Sequence, residues 1–277
     1  MIRPALLTIS CLVLGFLPLT AQARNTSVER AITELKECTE VDDLVCRGIP
    51  ERLANYGQRS VRPLMRALDE LTPAGQILAV ITLQQIEAQA STRALMRLAN
   101  RSNYVVRALA INALGKRTGA RVERTLITLL DDQNPTLREA AATSLGHSAS
   151  NRDRGRILPA LLETCDDSEE AVQLASLQSL GLLNDNRALP RLCQALSAPN
   201  LRIRKQALLA IRFLDAPQAV PDVMQLLLDE DRTLVQDAGR TLERMTGMDF
   251  GMDYELWKGW WETEQEARTN NENNDDS

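Results

Sequence analysis

The sequence predicts an all-α solenoid of about six two-helix repeats closed by helical caps, and three observations carry that prediction. The stretch Leu137-Arg138-Glu139-Ala140-Ala141-Ala142-Thr143-Ser144-Leu145-Gly146 returns along the chain. With Ala141 as marker, its counterparts are Ala79, Ala110, Ser176, Ala207 and Ala238, spaced 31, 31, 35, 31 and 31 residues. A period of about 20–50 residues is the signature of stacked repeats. Within each copy the apolar residues recur at i, i+4 and i+8, as in Val106, Ala110 and Leu114, which is one stripe on a helix and not the alternation of a strand. Finally, 44% of the chain is apolar, yet it has only three each of Phe, Trp and Tyr, so aliphatic packing between helices must supply the core.

Taken in order, residues 1–23 read as a secretory signal. Arg3 supplies the positive start, Leu6 to Leu19 is apolar, and Ala21-Gln22-Ala23 is a small-x-small cleavage site. The apolar run is shorter than the roughly 20 residues a membrane-crossing helix needs, and no later stretch is apolar enough to span. The expectation is a periplasmic or secreted protein without a membrane span.

Residues 24–59 are expected to form a helical cap. Thr26 or Ser27 can open one helix, Asp42 and Asp43 a second, and Gly48-Ile49-Pro50 breaks it. Export permits disulfides, and the close pair Cys38 and Cys46 is the candidate bridge. The alternative is a pair of free thiols.

Residues 60–246 hold the repeats. The first helix of each aligns on Arg62, Arg93, Arg124, Pro159, Pro190 and Pro221, proline being tolerated in a first helical turn. Cys165 and Cys193 fall in columns otherwise filled by core aliphatics, so they read as buried thiols, a bridge between them being the alternative. A column of small residues, Thr82, Ala113, Ser144, Ser179, Ala210 and Thr241, is expected where the two helices of one repeat cross. Four residues are inserted between Gly146 and Pro159, and a longer loop on a solenoid is a candidate binding element.

Residues 247–267 bring Trp257, Trp260 and Trp261 onto one helical face, read as an aromatic lid on the last repeat. Residues 268–277 are too polar to pack and are expected to be disordered.

The segment Leu130-Asp131-Asp132-Gln133-Asn134-Pro135-Thr136-Leu137-Arg138-Glu139-Ala140-Ala141, with Asn103-Tyr104-Val105-Val106-Arg107 and Asn200-Leu201-Arg202-Ile203-Arg204, resembles the short HEAT repeat, in particular the variety similar to bilin-lyase HEAT-like repeats. That resemblance implies right-handed stacking, second helices lining a concave face, and a role as a binding scaffold. It also implies that Arg107, Arg138 and Arg204 support the turns between repeats. The equivalent positions Gln173 and Val235 interrupt that ladder.

Charge is unevenly spread. Residues 93–156 carry 12 basic and 5 acidic groups, and residues 157–277 carry 11 and 22. The candidate partner-binding residues are therefore Arg107, Lys116, Arg138, Arg152, Arg154 and Arg156, which would attract an acidic partner if they shared a face. The net charge of −5 and the export signal argue against nucleic acid. His147 is the single histidine, so no histidine-assisted nucleophile or histidine metal site assembles. The acid pairs Asp131-Asp132 and Asp166-Asp167 sit at turns, where carboxylates can cap the next helix.

The expected protein is a monomeric, non-catalytic scaffold for another protein, with no cofactor and no metal. The alternative is an accessory factor or lyase-like protein holding a small ligand in the solenoid groove. A purely architectural envelope role is a third reading.

Overall fold

The computed structural model describes residues 19–101, 103–148 and 154–275, with side chains for 26–101, 103–147 and 155–267. Residues 1–18 of the expected signal, Arg152, and residues 276–277 of the expected tail lie outside the described residues. Every regular element among the described residues is helical. They fall into two compact units that meet in sequence at Ala88 and Gln89.

The first unit contains α1 (Leu19–Glu37), α2 (Leu44–Arg47), α3 (Ile49–Ala54), α4 (Gln58–Ala67) and α5 (Pro73–Gln85). Helix α1 begins before Thr26, its backbone running through the expected cleavage position. Val28, Ala31, Ile32 and Leu35 are buried on it, and α1 packs on α3, α4 and α5. Asp43 caps α2 by accepting from the Val45 and Cys46 N–H groups, satisfying donors that have no partner within the helix. Gly48 then separates α2 from α3, whose second residue is Pro50. The Sγ atoms of Cys38 and Cys46 lie 2.11 Å apart, at disulfide distance, with Cα atoms 5.9 Å apart. This ties the end of α1 to α2. The Thr72 hydroxyl donates to the Cys38 carbonyl and accepts from the Gly75 N–H at 3.0 Å, joining the cap to the start of α5.

The second unit contains α6 (Gln89–Leu98), α7 (Tyr104–Leu114), α8 (Ala120–Leu129), α9 (Pro135–Ser148), α10 (Arg154–Thr164), α11 (Glu170–Leu183), α12 (Leu189–Ala195), α13 (Leu201–Leu214), α14 (Val220–Gln225), α15 (Arg232–Thr246) and α16 (Tyr254–Asp275). The first helices of the repeats are α4, α6, α8, α10, α12 and α14. The second helices are α5, α7, α9, α11, α13 and α15. In the second unit α7 packs on α9, α9 on α11 and α11 on α13. The marker residues Ala79, Ala110, Ala141, Ser176, Ala207 and Ala238 are all fully buried, as their small size in a helix-packed interior requires.

Two local expectations change. Pro190 and Pro221 do sit at the second position of their helices, each preceded by a short 3-10 turn, Asn186–Ala188 and Pro217–Ala219. Pro159, by contrast, lies inside α10, because that helix begins early at Arg154 and uses up part of the inserted segment. Helix α16 also continues to Asp275, into the segment expected to be disordered.

Candidate functional site

Most of the second helices start in one way, and the repeat turns are built from it. Asn103, Asn134, Asn200 and Asp231 each accept from an N–H in the first turn of their helix. Glu169 makes no such bond, and Asp167 two residues earlier accepts from its N–H at 2.9 Å. Asp132 and Asp229 accept in the same manner from the Asn134 and Asp231 N–H groups, at 3.0 and 2.9 Å. The paired acids thus lock turns, as expected, but they also carry a second load.

Each turn aspartate receives an arginine from the preceding repeat. Arg107 pairs with Asp132. Arg138 donates Nε and Nη2 to the two oxygens of Asp167 at 2.7 and 2.8 Å. Arg204 pairs through Nε with Asp229 at 2.8 Å. The same side chains donate to their own turns: Arg107 to the Ala99 carbonyl at 2.9 Å, Arg138 to Asp132 at 2.8 Å, and Arg204 to Ala198 at 2.8 Å. The hydrogen bond from Arg138 holds the Asp167 carboxyl below the ordinary carboxylate range, and the Arg138 guanidinium is raised by the same bond. In the fourth repeat Gln173 donates to the Asp167 carbonyl at 2.6 Å. The following repeat has Ala198 where its neighbours have Asp132, Asp167 and Asp229. A neutral residue stands where no carboxylate would meet it, so the ladder is interrupted without stranding a charge.

Arg107 and Arg138 are therefore structural. Their side chains are 19% and 14% exposed and already committed, so they do not join a free basic face. Lys116 and Arg156 are exposed, and Arg154 opens α10 with its side chain outside the described residues. His147 is exposed at the end of α9, its Nδ1 2.8 Å from the Thr143 carbonyl.

The small-residue column does different work from the one expected. Ser144 and Ser179 donate to the Ile111 and Ala142 carbonyls of the preceding second helix, at 3.0 and 2.8 Å. A Cβ placed on Gly115 would meet Ser144 at 3.0 Å, one on Gly146 the Ser179 Cα at 2.9 Å, and one on Gly181 the Ala210 Cα at 2.8 Å. The column is the contact between successive repeats, not the crossing within one. Successive second helices approach as closely as glycine facing a small residue allows.

Arg212 breaks this pattern. It occupies the position of Gly115, Gly146 and Gly181, facing α15, where Thr241 holds the small position. A guanidinium cannot fill a glycine contact, and a groove of about 370 Å³ opens between α13 and α15. It is lined by Leu174 of α11 and by Leu208, Leu209 and Leu234, with the cations Arg202, Lys205 and Arg212 and one carboxylate, Asp237. Arg202 pairs with Glu170 at 2.9 Å and Lys205 with Asp231 at 3.0 Å, while Arg212 has no ion pair among the described residues. Leu209 of that lining is 40% exposed, and Leu182 and Phe213, at equivalent positions on α11 and α13, are 39% and 52% exposed. The sequence signal was available: two columns of the second helices, Thr143/His147 in the third repeat, become Gln178/Leu182 and Leu209/Phe213 in the fourth and fifth.

The C-terminal aromatics close the last repeat. Trp257 is fully buried and its Nε1 donates to the Gly251 carbonyl at 3.0 Å. Phe250 meets it edge-on at 5.0 Å, and Trp260 lies 5.9 Å away. A Cβ on Gly239 of α15 would lie 2.7 Å from the Gly251 carbonyl oxygen, so this turn sits directly on α15. Phe250, Tyr254, Trp260 and Trp261 keep partial exposure.

No helix among the described residues is long and apolar enough to cross a membrane, and no cluster of His, Cys, Asp and Glu among them could hold a metal ion. Cys165 and Cys193 are free thiols, buried and half-buried. Burial pushes both up to about 12, so neither is a thiolate nucleophile at neutral pH.

Helix pairs in tandem, with second helices stacked through small-residue contacts, define an α-solenoid, a class suited to protein binding. The pattern of HEAT repeats matches residues 61–146 and 158–243, leaving out the inserted segment between them. The chain belongs to the HEAT-repeat family. No curated protein matches its sequence. Among solved structures, the complex of CpcE and CpcF of phycocyanin lyase from Nostoc sp. PCC7120 is 24% identical, covering 55% of this chain and 98% of that one, with a TM-score of 0.47. The full-length AP-3 complex in an intermediate open conformation, a homology model, is 14% identical over 82% of this chain and 42% of that chain, with a TM-score of 0.60. A mutant of Kap121p is 13% identical over 80% and 30%, with a TM-score of 0.57. At these identities the likeness concerns the fold.

Proposed function

We infer that the protein is an exported, monomeric, non-catalytic scaffold in the periplasm or outside the cell, and that it binds another protein through the groove between α13 and α15. The observation that carries this is Leu209, exposed in a groove that also holds Arg212, with Leu182 and Phe213 exposed at equivalent positions on α11 and α13. An apolar surface left open beside a cation without an ion pair suits a partner segment that supplies apolar side chains and a carboxylate. Membership of a repeat family whose stacked helices present such surfaces supports the same reading, and the apolar N-terminal segment with its small-x-small site supports export.

The test places a photocrosslinking residue at Phe213 and, in a separate protein, at Arg187 as a control. Both are exposed to the native envelope fraction with and without Leu209→Glu. One discrete adduct from position 213, absent from position 187 and lost with Leu209→Glu, is the expected result. Equal labelling from both positions, or labelling indifferent to Leu209→Glu, would overturn the assignment of this groove.

A further inference from the structure

We propose that the exposed arginines of the first helices α6, α8 and α10 form a second docking surface, separate from the α13/α15 groove, for an acidic polypeptide segment. Arg93 and Arg97 lie on α6, Arg121 and Arg124 on α8, and Arg156 on α10, and all five are exposed. The repeat register places them in rows: Arg93 and Arg124 are equivalent, and so are Arg121 and Arg156. Helix α6 packs on α8 and α8 on α10, so the rows run across neighbouring helices.

What sets these arginines apart is their lack of partners. Arg107, Arg138 and Arg204 on the second helices are shielded and each holds an aspartate. None of the five has an ion pair among the described residues. The one hydrogen bond found for them is local, from Arg124 Nε to the Ala120 carbonyl at 3.1 Å. Uncompensated cations gathered in one region of a chain that is otherwise acidic produce a local positive field.

Spacing decides the shape of the ligand. Arginines three or four residues apart on one helix stand about 5–6 Å apart at Cβ, and packed helices lie about 8–10 Å apart. Carboxylates on alternate residues of an extended chain repeat at about 6.4–6.8 Å, which long guanidinium arms can follow. A shallow groove of about 310 Å³ between α6 and α8, lined by Met96, Arg121, Arg124, Thr125 and Thr128, offers the backbone of such a segment a seat. Guanidinium forks match carboxylates two bonds at a time. The groove lining has no aromatic side chain on which nucleic-acid bases could stack, and a single Met is too little apolar surface to enter a membrane.

The test is fluorescence anisotropy of a fluorescein-labelled oligo-glutamate peptide with the full chain at low and at physiological salt. Vesicles of anionic and of neutral lipid are titrated in parallel. The ridge variant is Arg93→Glu/Arg97→Glu/Arg121→Glu/Arg124→Glu. A control with the same change in net charge is Arg232→Glu/Arg240→Glu/Arg244→Glu/Lys258→Glu, and the milder ridge variant with Gln at the four positions serves if the Glu form does not fold. Salt-sensitive peptide binding that weakens at least about tenfold in the ridge variants and less than about twofold in the control is expected, tenfold corresponding to about 1.4 kcal/mol. Equal loss in the control, no peptide binding by the parent chain, or ridge-dependent binding to anionic vesicles without peptide binding would each overturn the proposal. Crosslinking at Phe213 reads the other groove, so failure of one assignment is distinguishable from failure of the other.

Discussion

The chain contains its own control for the arginine that clamps successive repeats. Arg138 makes two charge-assisted hydrogen bonds to Asp167 and two more to the Asp132 and Gln133 carbonyls, with side chains 14% and 10% exposed in the pair. Net contributions of hydrogen bonds to charged groups are about 1.5–3 kcal/mol, and partial shielding places this clamp within that range. Arg138→Ala strands Asp167 and frees two carbonyls, and should cost about 2–3 kcal/mol. Arg138→Gln can restore the carbonyl contact as Gln173 does at 2.6 Å, leaving about 1–2 kcal/mol for the stranded carboxylate. Asp167→Ala strands Arg138 and also removes the acceptor for the Glu169 N–H, a cap worth about 1 kcal/mol.

The double variant Arg138→Gln/Asp167→Ala recreates the Gln173 and Ala198 junction one repeat earlier. It should be less destabilised than the sum of the two single changes by about 1–2 kcal/mol. Urea unfolding followed by circular dichroism, with midpoint and slope compared across the four proteins, measures this. Additivity within about 0.3 kcal/mol would refute the idea that arginine and aspartate act as one junction.

The acid limb tests the same pair. Because the folded Asp167 carboxyl is held low by Arg138, its contribution is full above the unfolded value of about 3.9 and is lost as pH falls toward the folded one. The stability gap between the parent chain and Arg138→Ala should therefore narrow below about pH 4 in a urea series. Gly181→Ala brings a Cβ to 2.8 Å from the Ala210 Cα, and overpacking of about 1–3 kcal/mol should outweigh the roughly 1 kcal/mol gained in helix propensity. Gly259→Ala, with nothing within 4 Å of the new atom, should raise the thermal midpoint. Trp257→Ala should cost about 3–5 kcal/mol, seen first as faster amide exchange in α15. Cys38→Ser opens a link spanning 8 residues, for which the chain-entropy relation gives about 2.5 kcal/mol, and the difference from the parent should vanish in reductant.

The repeat was legible because burial in a helix stack imposes size at a fixed interval: Ala110, Ala141 and Ala207 can be read as core before any coordinates exist. Asp43 as a helix start and Cys38 with Cys46 as neighbours were legible for a similar reason, since both depend on residues close in sequence. The role of Ser144 and Ser179 was not. A small residue states that something comes near, and only the partner's position tells whether it belongs to the same repeat or the one before. Net charge by segment was a poor guide to the basic surface. Arg138 and Arg124 count equally in a sum, yet one clasps an aspartate and the other faces solvent, a difference set by which helix and which row each occupies. Arg212 stands out only when its row is aligned with Gly115, Gly146 and Gly181.

The junction residues give the array a grammar. A repeat ending in arginine needs a successor whose turn begins with aspartate, whereas one ending in Gln173 is written for a successor with Ala198. Excising the fourth repeat alone would set Arg138 against Ala198, a mismatched seam with a stranded cation. Excising the fourth and fifth together would set Arg138 against Asp229 and restore agreement. Repeats in this chain are thus not interchangeable beads, and shortening or lengthening it without loss requires editing in phrases whose ends rhyme.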